Sequence, residues 1–404
     1  MNRFLPLALL VCFPLSSRAC LNDRDSDALA VQNNRFPDAL RVITGRFERN
    51  PPRFYQMRIA RVERELKSKP RDFGLYDDLA VAHDKLGDDE TALKIMAQKR
   101  ALLPVFNSKD KANKEAWYRF FANDGTFRAH RFLKSGAKVQ NIGEMKRARD
   151  EIKRALQIKP NAHFGREKYQ LAVMDWIVTS RTKKTGHSLS YFLSERFKWP
   201  EGWFRQPLSK ERAEAAQGLS GLIVLGAAWR SPDIFDALAG ALEANPTIAL
   251  SFLAHKRCTE LVRSGASSLQ PQVPAWEDSV HHFDSYWIEP ELGLNEKNVQ
   301  TLDAFYPRLR AEAEDWNKNR VQWMESQFAQ NKHPDTNPNF WDGWKNAAPP
   351  SLDVAWFNER ASTQRPINNS VLLFKVIVFG VPALLIAALV WFRGHRAKRK
   401  TSLV

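Results

Sequence analysis

Three cysteines in 404 residues, none in a CxxC pair and none spaced against histidine as zinc requires, leave little for a disulfide or metal framework. Cys12 would leave with an N-terminal leader. Cys20 and Cys258 would then remain, free to pair in an exported compartment unless Cys20 carries a lipid. Equally missing are a phosphate-binding glycine loop, a dinucleotide fingerprint, an HExxH helix and a GxSxG elbow. Catalytic residues can be scattered along a chain, but here no motif names a catalytic residue, a metal or a cofactor.

The remaining polar clusters do not repair that lack. His281 and His282 are adjacent, which turns their rings to different faces, and His130, His163 and His255 sit in helical text where hydrogen-bonded packing is the expected role. Two acidic strings, Asp23/Asp25/Asp27 and Asp335/Asn337/Asn339, alternate as calcium ligands do. Neither has the glycine at position 6 or the glutamate at position 12 of a calcium loop, and capping and turn chemistry is the expected use of both.

What the chain does have is apolar mass. Hydrophobic residues make up 44%, and 13 Trp and 25 Phe set against 22 Pro describe packed helices separated by stiff connections. The formal charge of +16 is partly an end effect. Arg3 and Arg18 lie in the first stretch, and Arg393, Arg396, Lys398, Arg399 and Lys400 in the last, with no acid in either. Elsewhere the charges interleave along helices, so no nucleic acid is expected as a partner.

Both ends point to a membrane. Residues 1–19 read as a signal peptide: Arg3, an apolar run from Phe4 to Leu15, then Ser17 and Ala19 placed for a cut before Cys20. Residues 371–392 give 22 positions with one charge, Lys375, enough to cross roughly 30 Å of hydrocarbon. Trp391 and Phe392 suit the interface, and the basic tail 393–404 belongs on the cytoplasmic side. The expected arrangement is a single-pass protein of the cell membrane with its bulk outside the cytoplasm.

Between the ends, residues 79–104 (LAVAHDKLGDDETALKIMAQKRALLP) carry two apolar helical stripes parted by Gly87 and closed by Pro104. Tyr76, Leu79, Ala80, His83, Gly87, Ala92, Met96 and Pro104 supply an aromatic, a leucine, small residues for close helix contact, a turn and a stop in the order of a helix-pair repeat. The acids Asp88, Asp89 and Glu90 should open the second helix. Pro70 precedes Pro104 by 34 residues, MKRARDEIKRALQIKP ends at Pro160, and a partial unit closes at Pro246. On these residues the chain resembles the tetratricopeptide repeat (TPR) family over roughly 40–265. It also resembles exported, membrane-anchored bacterial proteins built from such repeats, which brings no activity with it. Lys99 departs from the pattern where alanine is usual, and Arg58 where a small residue belongs.

The expected fold is all-α: a TPR-like helical-repeat solenoid over 20–265 with an irregular insertion near 181–208, a C-terminal helical region and linker over 266–369, and one transmembrane helix. Asn123-Asp124-Gly125 suggests a pause in the helix over 110–134, and Pro307 a bend or restart in the long helix after 294. The resemblance implies a concave groove that binds a protein or peptide partner, with Gly74, Asp77, Val81 and Asp84 on its lining. Arg166 and Glu167 either line it or form a buried polar network between repeats. The leading expectation is a membrane-anchored scaffold, not an enzyme. Alternatives are an assembly factor for another membrane complex, whose span itself makes contacts, or an enzyme with an unrecognised active site gathering His163, Arg166 or His187.

Overall fold

Proline and aspartate punctuate the helices. In the computed structural model, which describes residues 22–24, 38–160, 165–183, 186–200, 207–226, 228–244, 247–270 and 296–349, the chain is all-helical. α1 (Ala39–Thr44) is capped by Asp38, whose side chain accepts from the Arg41 N–H, and stops at Gly45 with φ +85°. α2 (Pro52–Ser68) starts with proline in its first turn, where no N–H is needed, and ends before Pro70. α3 (Phe73–Lys85) and α4 (Asp89–Leu102) are capped by Asp72 and Asp88, with Asp89 and Glu90 in the first turn of α4. The turn between them passes through Gly87 at φ +91°, a left-handed position that favours glycine.

α5 (Lys111–Lys134) runs unbroken through Asn123-Asp124-Gly125, against the expected pause. These turn formers are buried and serve packing and hydrogen bonding instead. A Cβ on Gly125 would stand 2.8 Å from the Ala148 carbonyl oxygen, so the glycine lets α6 (Ile142–Ile158) approach closely. α7 (Arg166–Lys183) and α8 (Leu189–Phe197) put regular helix through much of the expected insertion. α9 (Lys210–Gly221) passes by a π turn (Leu222–Gly226) and a 3-10 turn (Ala228–Arg230) to α10 (Pro232–Leu242) and α11 (Ile248–Arg263). α12 (Glu296–Phe328) is one 33-residue helix with Pro307 inside it, so the proline does not restart the helix.

Consecutive helices pack pairwise from α2 to α7 and from α9 to α11. Small residues sit where the first pairs touch: Ala80 and Ala92 are fully buried with Met96, and Val62, Leu75, Leu79, Trp117 and Phe127 complete that core. The pairwise order is then closed by the C-terminal part. α12 touches α1, α2 and α11, and its end joins Phe340 in a second core with Phe54, Tyr55, Ala82, Met324 and Phe328. The end of α12 and Phe340 therefore share a core with α2 and α3. The described residues belong to one compact unit, Met1–Pro349. Among them no helix is long and apolar enough to cross a membrane. The signal peptide expected at 1–19, the span at 371–392 and the tail at 393–404 lie outside the described residues.

Candidate functional site

Asp77, Val81 and Asp84, expected on the lining of an open groove, are buried; Gly74 is half-buried, and Arg166 lies in the buried polar network that was the alternative for it. Asp77, Val81, Asp84 and Arg166 are each at most 1% exposed. Asp77, Val81 and Asp84 do share one face of α3, four and three residues apart, but that face looks into the protein. The cause is packing by the neighbouring helices: Val81 belongs to the core with Val62, Met96 and Phe127, Asp77 pairs with Lys99 of α4 and Asn123 of α5, and Asp84 pairs with His130 of α5.

Asn22 is held by its backbone. Its N–H donates to Asn123 Oδ1 at 2.8 Å, and Asn123 Nδ2 donates back to the Asn22 carbonyl at 2.9 Å. A side-chain amide thus pairs with the N–H and C=O of one residue as a neighbouring strand would, a mode that reads main chain. The Asn22 side-chain oxygen accepts from Arg166 Nη2 at 3.3 Å, and Tyr118 Oη lies at the same distance with its one proton directed to Glu167. Asp23 meets Arg58 at 3.3 Å. Arg24 is gripped twice by Asp78, through its backbone N–H at 3.2 Å and its Nε at 2.6 Å, and stands 3.9 Å from Asp335.

Behind these contacts stands a second layer. Asn123 Nδ2 also reaches Asp77, which holds Lys99 Nζ at 2.6 Å. Burial raises the Asp77 carboxyl and lowers the Lys99 ammonium, so each charge relies on the other. Tyr118 donates to Glu167 at 2.8 Å, and Glu167 accepts from Arg166 at 2.7 Å. Burial and the Glu167 charge push the Tyr118 hydroxyl well above its ordinary value, which keeps it a donor. Arg58, fully buried, forks onto Asp335 and lies 4.5 Å over the Phe54 ring. Burial and the nearby Asp23 raise the Asp78 carboxyl to about 6 against the pull of Arg24 and Arg58.

One further cluster sits at the other end of α3. Ligand atoms of Asp84, Asp89 and His130 lie within 4.8 Å of one another, with His130 Nδ1 at 2.5 Å from Asp84. A cation could be imagined there, but Lys134 Nζ already meets Asp89 at 2.8 Å and also donates to the Gly87 carbonyl. The lysine supplies a positive charge to Asp89, and Asp84 is held by His130. Cys258 is buried on α11, and Cys20 lies outside the described residues, as do His163, His281 and His282. His187 stacks on Tyr191 at the start of α8, away from the network.

Sequence reasoning reached Asp77, Arg166 and Glu167 but not Asn22, Asp23, Arg58, Lys99, Asn123 or Asp335 as parts of one site. Two signals were present. Arg58 and Lys99 are the residues that break the repeat pattern, and both prove to be buried cations of this network. The two acidic strings set aside as turn chemistry supply Asp23 and Asp335, which converge on Arg58. No family model, no curated protein and no solved structure matches the chain.

Proposed function

We propose that this chain is a TPR-like scaffold, tethered by a single C-terminal span with its bulk outside the cytoplasm, that binds an extended segment of a protein partner. The observation that supports it is the two-point grip of Asn123 on the N–H and C=O of Asn22. Any buried N–H and C=O needs a partner, and a side-chain amide that supplies both at once is also the device by which a protein can bind the main chain of another. The polar, charge-rich character of the interior around Asp77, Asp78 and Arg58 suits a ligand that is itself polar and charged.

The test is selection of displayed peptides on the purified full chain in detergent micelles. Peptides that bind wild type and lose binding to Asn123→Ala support the reading. Binders that ignore Asn123→Ala, or none at all, would overturn it. Deleting 371–392 should in the same experiment release the protein from the membrane fraction without changing the selected peptides.

A further inference from the structure

The end of α4 and the turn into α5 carry three of the five exposed large apolar side chains among the described residues: Leu102, Val105 at 90% exposure, and Phe106. Single exposed apolar residues are ordinary, but a group of them on one tip calls for a partner. The tip is held from beneath by buried side chains of α5. Asn113 Nδ2 donates to the Val105 carbonyl at 3.0 Å, and Asn113 Oδ1 accepts from the Asn107 N–H at 2.8 Å. Trp117 Nε1 donates to the Pro104 carbonyl at 3.0 Å. Backbone on both sides of Phe106 is thus fixed, while the apolar side chains stay outside.

The pairwise order of the helices brings the turn after α2 to the same end of the protein, where Leu66, Phe73, Leu103 and Ile158 join one core. Lys69 and Arg71 are exposed on that turn, and Lys109 and Lys111 follow the apolar tip. The acids of the two turns are engaged as helix caps. Asp72 accepts from the Gly74 N–H, and Asp110 from those of Ala112 and Asn113. An apolar tip set among cations suits an anionic lipid surface, where the tip enters the acyl boundary and the cations meet phosphates. A rigid protein would need a pocket to cover a side chain as open as Val105, whereas lipid closes round it from every side.

We propose that residues 102–111, with the basic turn 69–71 at the same end, form a contact surface for a bilayer containing anionic phospholipid. One short tip binds weakly and reversibly by itself. On a tethered chain it orients the helical body against the bilayer and does not replace the tether. The inference goes beyond the peptide-binding reading and does not need it.

The experiment uses the full chain with Cys12→Ser and Cys20→Ser, Cys258 being buried, and an environment-sensitive fluorophore attached through Val105→Cys. Detergent is removed in the presence of vesicles of phosphatidylcholine alone or mixed with phosphatidylglycerol, both carrying a lipid with a spin-label quencher high on its acyl chain. In mixed vesicles the emission should shift to the blue and be quenched, and in phosphatidylcholine alone both effects should be much smaller. The same label on Val139→Cys, an exposed apolar site just before α6, should show neither. Lys109→Glu with Lys111→Glu should lose the response at an unchanged melting temperature. An unquenched Val105 label in mixed vesicles, or equal quenching at both sites or in both vesicles, would overturn the proposal. A blue shift without lipid quenching assigns the tip to a second copy of the chain and overturns it too. Flotation of the same samples separates this surface from the tether. A chain that floats with both vesicles while the Val105 label stays unquenched keeps the tether and loses this surface; one that floats only with mixed vesicles, quenched at Val105, does the reverse.

Discussion

Arg58 and Asp335 stand 277 residues apart in sequence and share two hydrogen bonds, Nε to Oδ2 at 2.8 Å and Nη2 to Oδ1 at 2.6 Å. Arg61 and Arg24 approach the same carboxylate, at 2.8 and 3.9 Å. The pair joins an early helix to the turn after α12, and Asp23 on Arg58 adds the N-terminal segment to the same junction.

Asp335→Ala strips that junction of its anion and leaves Arg58 buried beside Asp23 alone. Loss of about 3–5 kcal/mol in urea unfolding is expected, since breaking a buried pair costs more than the pair gains. Burial works to raise the Asp335 carboxyl, but the hydrogen bonds and charge of Arg58 outweigh it and hold it down to about 2. A carboxylate depressed on folding stabilises fully above its unfolded value of about 4, and that stability drains away as pH falls towards about 2. Wild type should therefore lose stability over that window more steeply than Asp335→Ala.

Lys99→Met strands the Asp77 carboxylate inside the protein and should cost about 3–5 kcal/mol. Adding Asp77→Asn should recover a good part of the loss, because the Asn123 amide can still donate to the new side chain. A double-mutant cycle by denaturant titration measures the coupling. Strict additivity would show that the 2.6 Å contact carries no interaction energy.

Gly125→Ala puts a methyl 2.8 Å from the Ala148 carbonyl oxygen and 3.0 Å from Ile152. Backbone cannot step aside cheaply, so about 1–3 kcal/mol should be lost despite the better helix propensity of alanine. Gly143→Ala, in the first turn of α6 with nothing within 4 Å of the added carbon, is the control. It should be neutral or stabilising by up to about 1 kcal/mol. Melting temperatures of the two variants decide the matter.

Asp236 on α10 is buried, and burial together with Asp233 raises its carboxyl to about 7. Here the folded state holds the proton more tightly than the unfolded chain, so stability falls as pH rises from about 4 to about 7. Asp236→Asn removes this penalty. The stability difference between variant and wild type should grow through that window and level off at about 2–4 kcal/mol in favour of the variant. A difference that does not change with pH would mean Asp236 is not the titrating group.

How far the sequence could be read varies with the range of the forces involved. The α3–α4 pair is legible residue by residue: Asp88 caps, Gly87 turns, Ala80 and Ala92 touch, and Pro104 follows the stop. Each of those roles is played within a few residues of its own position or across one tight turn. Asn123-Asp124-Gly125 misled because local preference for a turn is weak beside the packing of α6 against Gly125 and the bonds of Asn123 to Asn22. Pro307 does not restart the helix, and a helix packed against α1, α2 and α11 can carry a proline.

The charges were least legible. Asp77, Asp84 and Arg166 occupy positions where a helical array can present side chains to a ligand, and nothing in their neighbourhoods says that the array is filled. By itself the sequence determined where helices begin and end and which small and apolar residues face one another, because caps, prolines and apolar periodicity act over one or two turns. Only the tertiary structure decided that Arg58, Lys99, Asn123 and Asp335 form one buried network around residues 22–24. A buried charge is tolerable only with its partner, and here the partners come from helices and turns up to 277 residues away.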